Sequence, residues 1–266
     1  MNHAEMNHEY WSVSHYMLLS IALLLIILYI MAGVTTSRWK HLRSWPLHRY
    51  LLWCGGIGCA AAPHIGPLAV YAQHHFIFHM ANHLLLGMLA PLLLVLGAPI
   101  TLVFRTLPVI YARKLSFILK LWPFRLATHP LIASVFNIGG LWVLYSMDLY
   151  PLMHEHQWLF VLVHLHIFLA GLVFTLSIIY IDPVFHRYSY MVRAVVFVAA
   201  LAGHGILSKF LYAYPPPGVS REEAEIGGML MYYGGDMIDL VLILVFCQQW
   251  YKSVRTVTKK VPVTDF

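Results

Sequence analysis

Four histidines gather in the stretch Gln73-His74-His75-Phe76-Ile77-Phe78-His79-Met80-Ala81-Asn82-His83, which runs straight into the apolar segment Leu84 to Leu96. His79 and His83 are four apart, so an α-helix sets them on one face, one turn or roughly 6 Å from each other. That spacing suits a shared metal. The plain alternative is a set of amphipathic spacers at the lipid headgroup level. Against it stands the cost of carrying polar groups into a bilayer, which usually marks a site.

The same donor chemistry recurs further along the chain. At about 1.5 Å of rise per helical residue, His164 and His166 lie roughly 9 to 12 Å below Trp158, His204 about 12 Å below Tyr212, and Asp236 about 10 Å below Met229. Four helices thus offer a polar group at similar depth. Neutral imidazoles with a nearby carboxylate form a metal site of ligands and second shell, with His79 and His83 as core ligands, Asp236 behind them and the Met80 thioether softening the set. Residues two apart point about 200° away from each other, so His164 and His166 cannot both face one centre. His74, His75, His154 and His156 lie further out, as an access path. The tail Met1-Asn2-His3-Ala4-Glu5-Met6-Asn7-His8 alternates thioether and imidazole groups, soft ligands of the kind Cu(I) takes. A haem held by two histidines is the competing chemistry, with His83 and either His166 or His204 as axial ligands. The structural readings are a His204 bonded to a neighbouring backbone group and an Asp236 that packs after Gly234-Gly235.

The elements that must position these groups follow from composition. Hydrophobic residues make up 60% of the chain and charged ones 11%, against about 25% charged in soluble domains, and the mean hydropathy is +0.72. A soluble globular chain is excluded. Windows of about 20 apolar residues predict an all-α, seven-span bundle over Tyr16 to Gly33, Leu47 to Ala62, His79 to Phe104, Leu131 to Met147, Trp158 to Ile181, Val192 to Tyr212 and Met229 to Tyr251. Residues 1–266 read as a single integral membrane domain with no repeat or linker. Pro91 and Gly97-Ala98-Pro99 predict breaks in the third span, and Val109 to Trp122 an amphipathic helix on the inner surface. No cleavable signal peptide is read at the start.

A net charge of +6 and a pI near 9.2 raise the question of an anionic partner. The basic residues segregate instead by loop: Arg38, Lys40, Arg43 and Arg49; then Arg105, Arg113, Lys114, Lys120 and Arg125; then Arg187 and Arg193; then Lys252, Arg255, Lys259 and Lys260. Alternate loops that are basic lie inside, so the N-terminus is expected outside, the C-terminus in the cytoplasm, and the basic groups against lipid headgroups rather than nucleic acid. Only His41, His48, His129 and His186 of the seventeen histidines then fall on the cytoplasmic side. Cys54, Cys59 and Cys247 lie within spans and imply no disulfide framework. No phosphate loop, serine nucleophile motif or His-Glu-x-x-His signature is present, and no turnover chemistry is implied, so the chain is not read as an enzyme. Membrane hydroxylases and desaturases carry iron-binding histidines on the cytoplasmic side, contrary to this bias.

The residues His79-Met80-Ala81-Asn82-His83-Leu84-Leu85-Leu86-Gly87-Met88-Leu89-Ala90-Pro91, Leu94-Val95-Leu96-Gly97-Ala98-Pro99 and Arg105-Thr106-Leu107-Pro108 resemble the CtaG-type cytochrome c oxidase assembly factors of the bacterial plasma membrane. Thr128-His129-Pro130, Leu165-His166-Ile167-Phe168-Leu169-Ala170-Gly171, Asp182-Pro183, the His204 region, Ile226-Gly227-Gly228 and Gln249-Trp250-Tyr251 extend the likeness over nearly the whole chain. The resemblance implies a seven-span membrane protein that helps mature a haem-copper oxidase, with oxidase subunits as partners and copper insertion as its task. An outer copper donor protein would then be a further partner. It carries the family histidines onto His79, His83, His166 and His204, and so favours His166 over His164 as the inward-facing member of that pair. The family often shows Asp-Gln-Gln where this chain has Glu223-Ala224-Glu225. A metal-free scaffold for oxidase subunits is the third expectation.

Overall fold

The computed structural model describes residues 13–258 except 41, 148 and 185, and every regular element among them is helical. The helices are α1 (Val13–Ser37), α2 (Leu47–Ala61), α3 (Pro67–His74), α4 (Phe76–Leu96), α5 (Pro99–Thr106), α6 (Val109–Leu119), α7 (Trp122–Ala127), α8 (Pro130–Ser146), α9 (Leu149–Glu155), α10 (Gln157–Ile178), α11 (Tyr190–Ala213) and α12 (Arg221–Thr258). Proline sets several of the starts, because its missing N–H is one the first helical turn leaves unbonded anyway: Pro67, Pro99 and Pro130 each occupy a first helical position.

Five helices, α1, α4, α10, α11 and α12, are long and apolar enough to cross a membrane; α2 with α3, bent by 48°, and α8 with α9, bent by 80°, bring the number to as many as seven. The expected third span overruns the structure. Helix α4 stops at Leu96, Ala98 takes the left-handed φ of 55°, and α5 starts afresh at Pro99. Helical backbone is disfavoured for a residue before proline, which suits a break there. Asp182 then caps α5 from far along the chain, accepting the Ile100 N–H at 3.1 Å, the Thr101 N–H at 2.7 Å and the Thr101 hydroxyl at 2.6 Å. Burial pushes the Asp182 carboxyl up from its ordinary range, and the bonds from Thr101 and Ile100 offset only part of that rise. The seventh expected span also starts late, since α12 begins at Arg221 with Glu222 and Glu223 in its first turn, where acids suit the helix dipole. Helices α6 and α7 bury none of their residues.

Small residues let the central helices approach. A Cβ on Gly227 or Gly234 would strike α4 side chains (Phe76 and Met80, then Leu84), and one on Gly228 or Gly235 would strike α11 at Ser208 and Tyr212 or at His204. The repeat of seven keeps two flanks of α12 against two partners, the packing that small residues allow in lipid. Helix α10 crosses α4 where a Cβ on Gly171 would occupy the place of the Gly87 carbonyl oxygen.

Both helices beside this crossing are wound wide for one turn, as π-helix at Leu85–Leu89 in α4 and at Val135–Gly139 in α8. In α4 the Ala90 N–H reaches back to the Leu85 carbonyl, and Pro91 has no N–H to give. Such bulges are rare and frequent at functional sites.

Candidate functional site

The histidines fall into two tiers. In the outer tier His79 on α4 is buried, and its Nε2 lies 3.0 Å from the Tyr145 hydroxyl. Its ring centroid is 6.3 Å from those of His154 on α9 and His164 on α10, and His164 is 5.4 Å from His64, at the end of the short turn Ala62–His64. A carbonyl only accepts, so His164 and His154 donate Nδ1–H to the Phe160 and Tyr150 carbonyls at 2.8 and 2.9 Å. That fixes each ring and leaves its Nε2 lone pair outside the bond, the usual preparation of a ligand histidine.

The inner tier is His83, one turn further along α4, and His204 on α11. Their centroids are 6.0 Å apart with planes at 29°. They are 3% and 5% exposed, yet both ring nitrogens of His83 and Nε2 of His204 have no hydrogen-bond partner. Leaving such a group unbonded costs about 1–3 kcal/mol, and native interiors rarely tolerate it. The two rings open onto a cavity of about 30 Å³ that Asn137, Thr175 and Asp239 also line, between the two π-turns. Gly235, without a Cβ, gives the His204 ring its room.

Other expected site residues stand elsewhere. The structure reverses the His164 and His166 assignment: His164 is the buried member facing the cluster, and His166 turns the other way to donate Nε2–H to the Phe136 carbonyl at 3.2 Å, against Gly140. Residues two apart on one helix face nearly opposite ways, and the α8 bulge presents the carbonyl that takes His166. Asp236 is exposed, and the carboxylate on the cavity is Asp239, three residues on. Met80 is fully buried in the core beneath Gly227 and lines no part of the cavity. His74 and His156 are exposed. His75 Nδ1 pairs with Glu223 Oε1 at 2.8 Å, while Glu223 Oε2 accepts the Phe76 N–H at 3.1 Å, which ties the start of α4 to α12. The Met1 to His8 tail lies outside the described residues. Cys54, Cys59 and Cys247 are free thiols. Among the described residues, no three of His, Cys, Asp or Glu stand close enough to hold a metal ion as they are placed.

At the opposite end of the bundle, Trp45 lies between the guanidinium groups of Arg49 and Arg105, at 4.5 and 5.0 Å, and Arg105 Nη2 donates to the Arg43 carbonyl at 2.6 Å. Arg193 is buried there among Tyr180, Tyr190 and Phe246.

Apolar helices around a buried imidazole pair define a helical membrane protein with polar groups in its interior. The chain belongs to the cytochrome c oxidase caa3 assembly factor (Caa3_CtaG) family, whose model matches residues 27–253. It is also similar to the uncharacterized protein ML1998 of Mycobacterium leprae, 24% identical over 231 residues that cover 79% of this chain and 35% of that protein. The chain therefore spans about a third of the length of this curated relative. No solved structure is a significant match.

Proposed function

We propose that this chain serves the maturation of a haem-copper terminal oxidase from the bacterial plasma membrane, taking Cu(I) from an outer donor and holding it between His83 and His204 for oxidase subunits. The N-terminus would lie outside and the C-terminus in the cytoplasm, with the arginine-rich end inward. His154, exposed on α9, would meet the ion first, and His79 and His164 would pass it inward.

The observation that carries this reading is His83, buried with neither ring nitrogen bonded, beside the His204 ring 6.0 Å away, whose Nε2 is also unbonded. Imidazole suits copper, and Cu(I), a d10 ion, accepts coordination by as few as two donors. A cavity of about 30 Å³ has room for a guest of about water size, whereas sites for organic cofactors run to about 300–1,000 Å³. This favours an ion over the haem alternative, which predicts a Soret band that vanishes with His83→Ala. The metal-free scaffold reading draws support from the lack of three grouped donors among the described residues, and predicts lost subunit association with no metal bound in any sample.

In cells, His83→Ala is expected to lower oxidase activity while the amount of assembly factor in the membrane stays the same. Normal oxidase activity in that variant would contradict the proposal.

A further inference from the structure

The inner cavity has a third polar wall that the histidine pattern does not announce. Asp239 is 7% exposed on α12 and lines the cavity with His83 and His204. It follows Gly235, which rests against the His204 ring, by one helical turn, and precedes Leu242, also on the cavity, by three residues; positions 235, 239 and 242 share one helix face. The ion pairs among the described residues are His75 with Glu223 and Arg221 with Glu225, and neither involves Asp239. A buried acid without a cation, lining one cavity with imidazole nitrogens that have no partners, is a set of groups that a positive charge among them would complete.

Charge decides which ion fits. Two neutral imidazoles around a monovalent ion leave one positive charge in a low-dielectric interior, where it is expensive. A single carboxylate cancels it, while a divalent ion would leave one charge over.

We propose that Asp239 supplies the counter-charge of a monovalent-cation site formed with His83 and His204, and that this balance selects Cu(I) over divalent ions. This rests on the Cu(I) reading of the histidine pair and adds the residue that sets its selectivity. Asp236, exposed on the same helix, lies outside the cavity lining.

The test is competition for Cu(I) between the detergent-purified full chain and a chromogenic chelator, under anaerobic conditions, with Zn(II) binding measured beside it. Asp239→Asn is expected to weaken Cu(I) binding by about tenfold or more, the range seen when a supporting carboxylate is removed from a metal site. Asp239→Glu should restore binding to within about threefold, since it keeps the charge at the metal, and Asp236→Asn should match the wild type. Should Asp239→Asn fail to fold, Asp239→Glu and the wild-type preference for Cu(I) over Zn(II) still decide. Loss of Cu(I) binding in the glutamate variant, or equal binding of both ions by the wild type, overturns the counter-charge. A wild type that binds Cu(I) as tightly as Asp239→Asn overturns this inference alone, whereas a wild type that binds none overturns the histidine reading with it.

Discussion

Arg193 and His83 lie at similar burial in one bundle, 1% and 3% exposed, and the protein treats them in opposite ways. The guanidinium of Arg193 has Tyr180 at 3.9 Å, Tyr190 at 4.3 Å and Phe246 at 5.3 Å over its faces, and it donates to the Ile178 carbonyl at 2.7 Å, where α10 ends. Its Nε makes no hydrogen bond, but the charge has three aromatic faces and a helix C-terminus to meet it. His83 has a ring edge, a cavity and a second imidazole with an unbonded nitrogen. The charge of the first is met within the chain. The second leaves imidazole nitrogens unbonded around a cavity, and burial alone does not tell a strut from a site.

Breaking the strut should have the largest effect on the fold. Arg193→Ala removes the ring contacts and strands the Ile178 carbonyl, a loss of about 3 kcal/mol by the usual worth of such groups, read as a lower melting temperature in detergent, with Cu(I) binding per folded chain unchanged. His83→Ala should do the reverse. Removing two unbonded buried nitrogens offsets lost packing, so stability stays within about 1 kcal/mol while Cu(I) binding is lost.

The two histidines of α10 sharpen the same contrast at a smaller scale. His166→Ala should cost about 1 kcal/mol through the bond to Phe136 and leave copper loading as it was. His164→Ala should slow Cu(I) uptake several-fold, measured by stopped-flow transfer from a Cu(I) chelate. The smallest effect belongs to Glu223→Gln at the half-exposed pair with His75. Solvent screening limits it to a drop of about 2 °C or less in melting temperature.

The sequence made the vertical coordinate legible and the angular one illegible. Helical rise alone puts His79, His83, His164 and His204 at comparable depth, and the i, i+4 spacing puts the α4 pair on one face, which the structure buries. Prolines mark the break at Gly97-Ala98-Pro99. Which face of α10 or α12 turns inward is another matter. A helix that is apolar all round, as one facing both lipid and protein must be, has no polar face to give its phase, so His164 could not be told from His166, nor Asp239 from Asp236. The glycine pairs on α12 held a usable clue: a helix packed through Gly235 brings residue 239, one turn on, to the same neighbour. His64 had no such signal, because the turn that brings it to His164 is a tertiary contact.

The most direct test of the histidine pair as a metal site is the copper, iron and zinc content of the detergent-purified protein after anaerobic loading with Cu(I), beside His83→Ala and Arg193→Ala samples matched for folded protein. The account predicts copper in the wild type and in Arg193→Ala, and none in His83→Ala. Copper retained in His83→Ala, or no metal in any of the three, would contradict it.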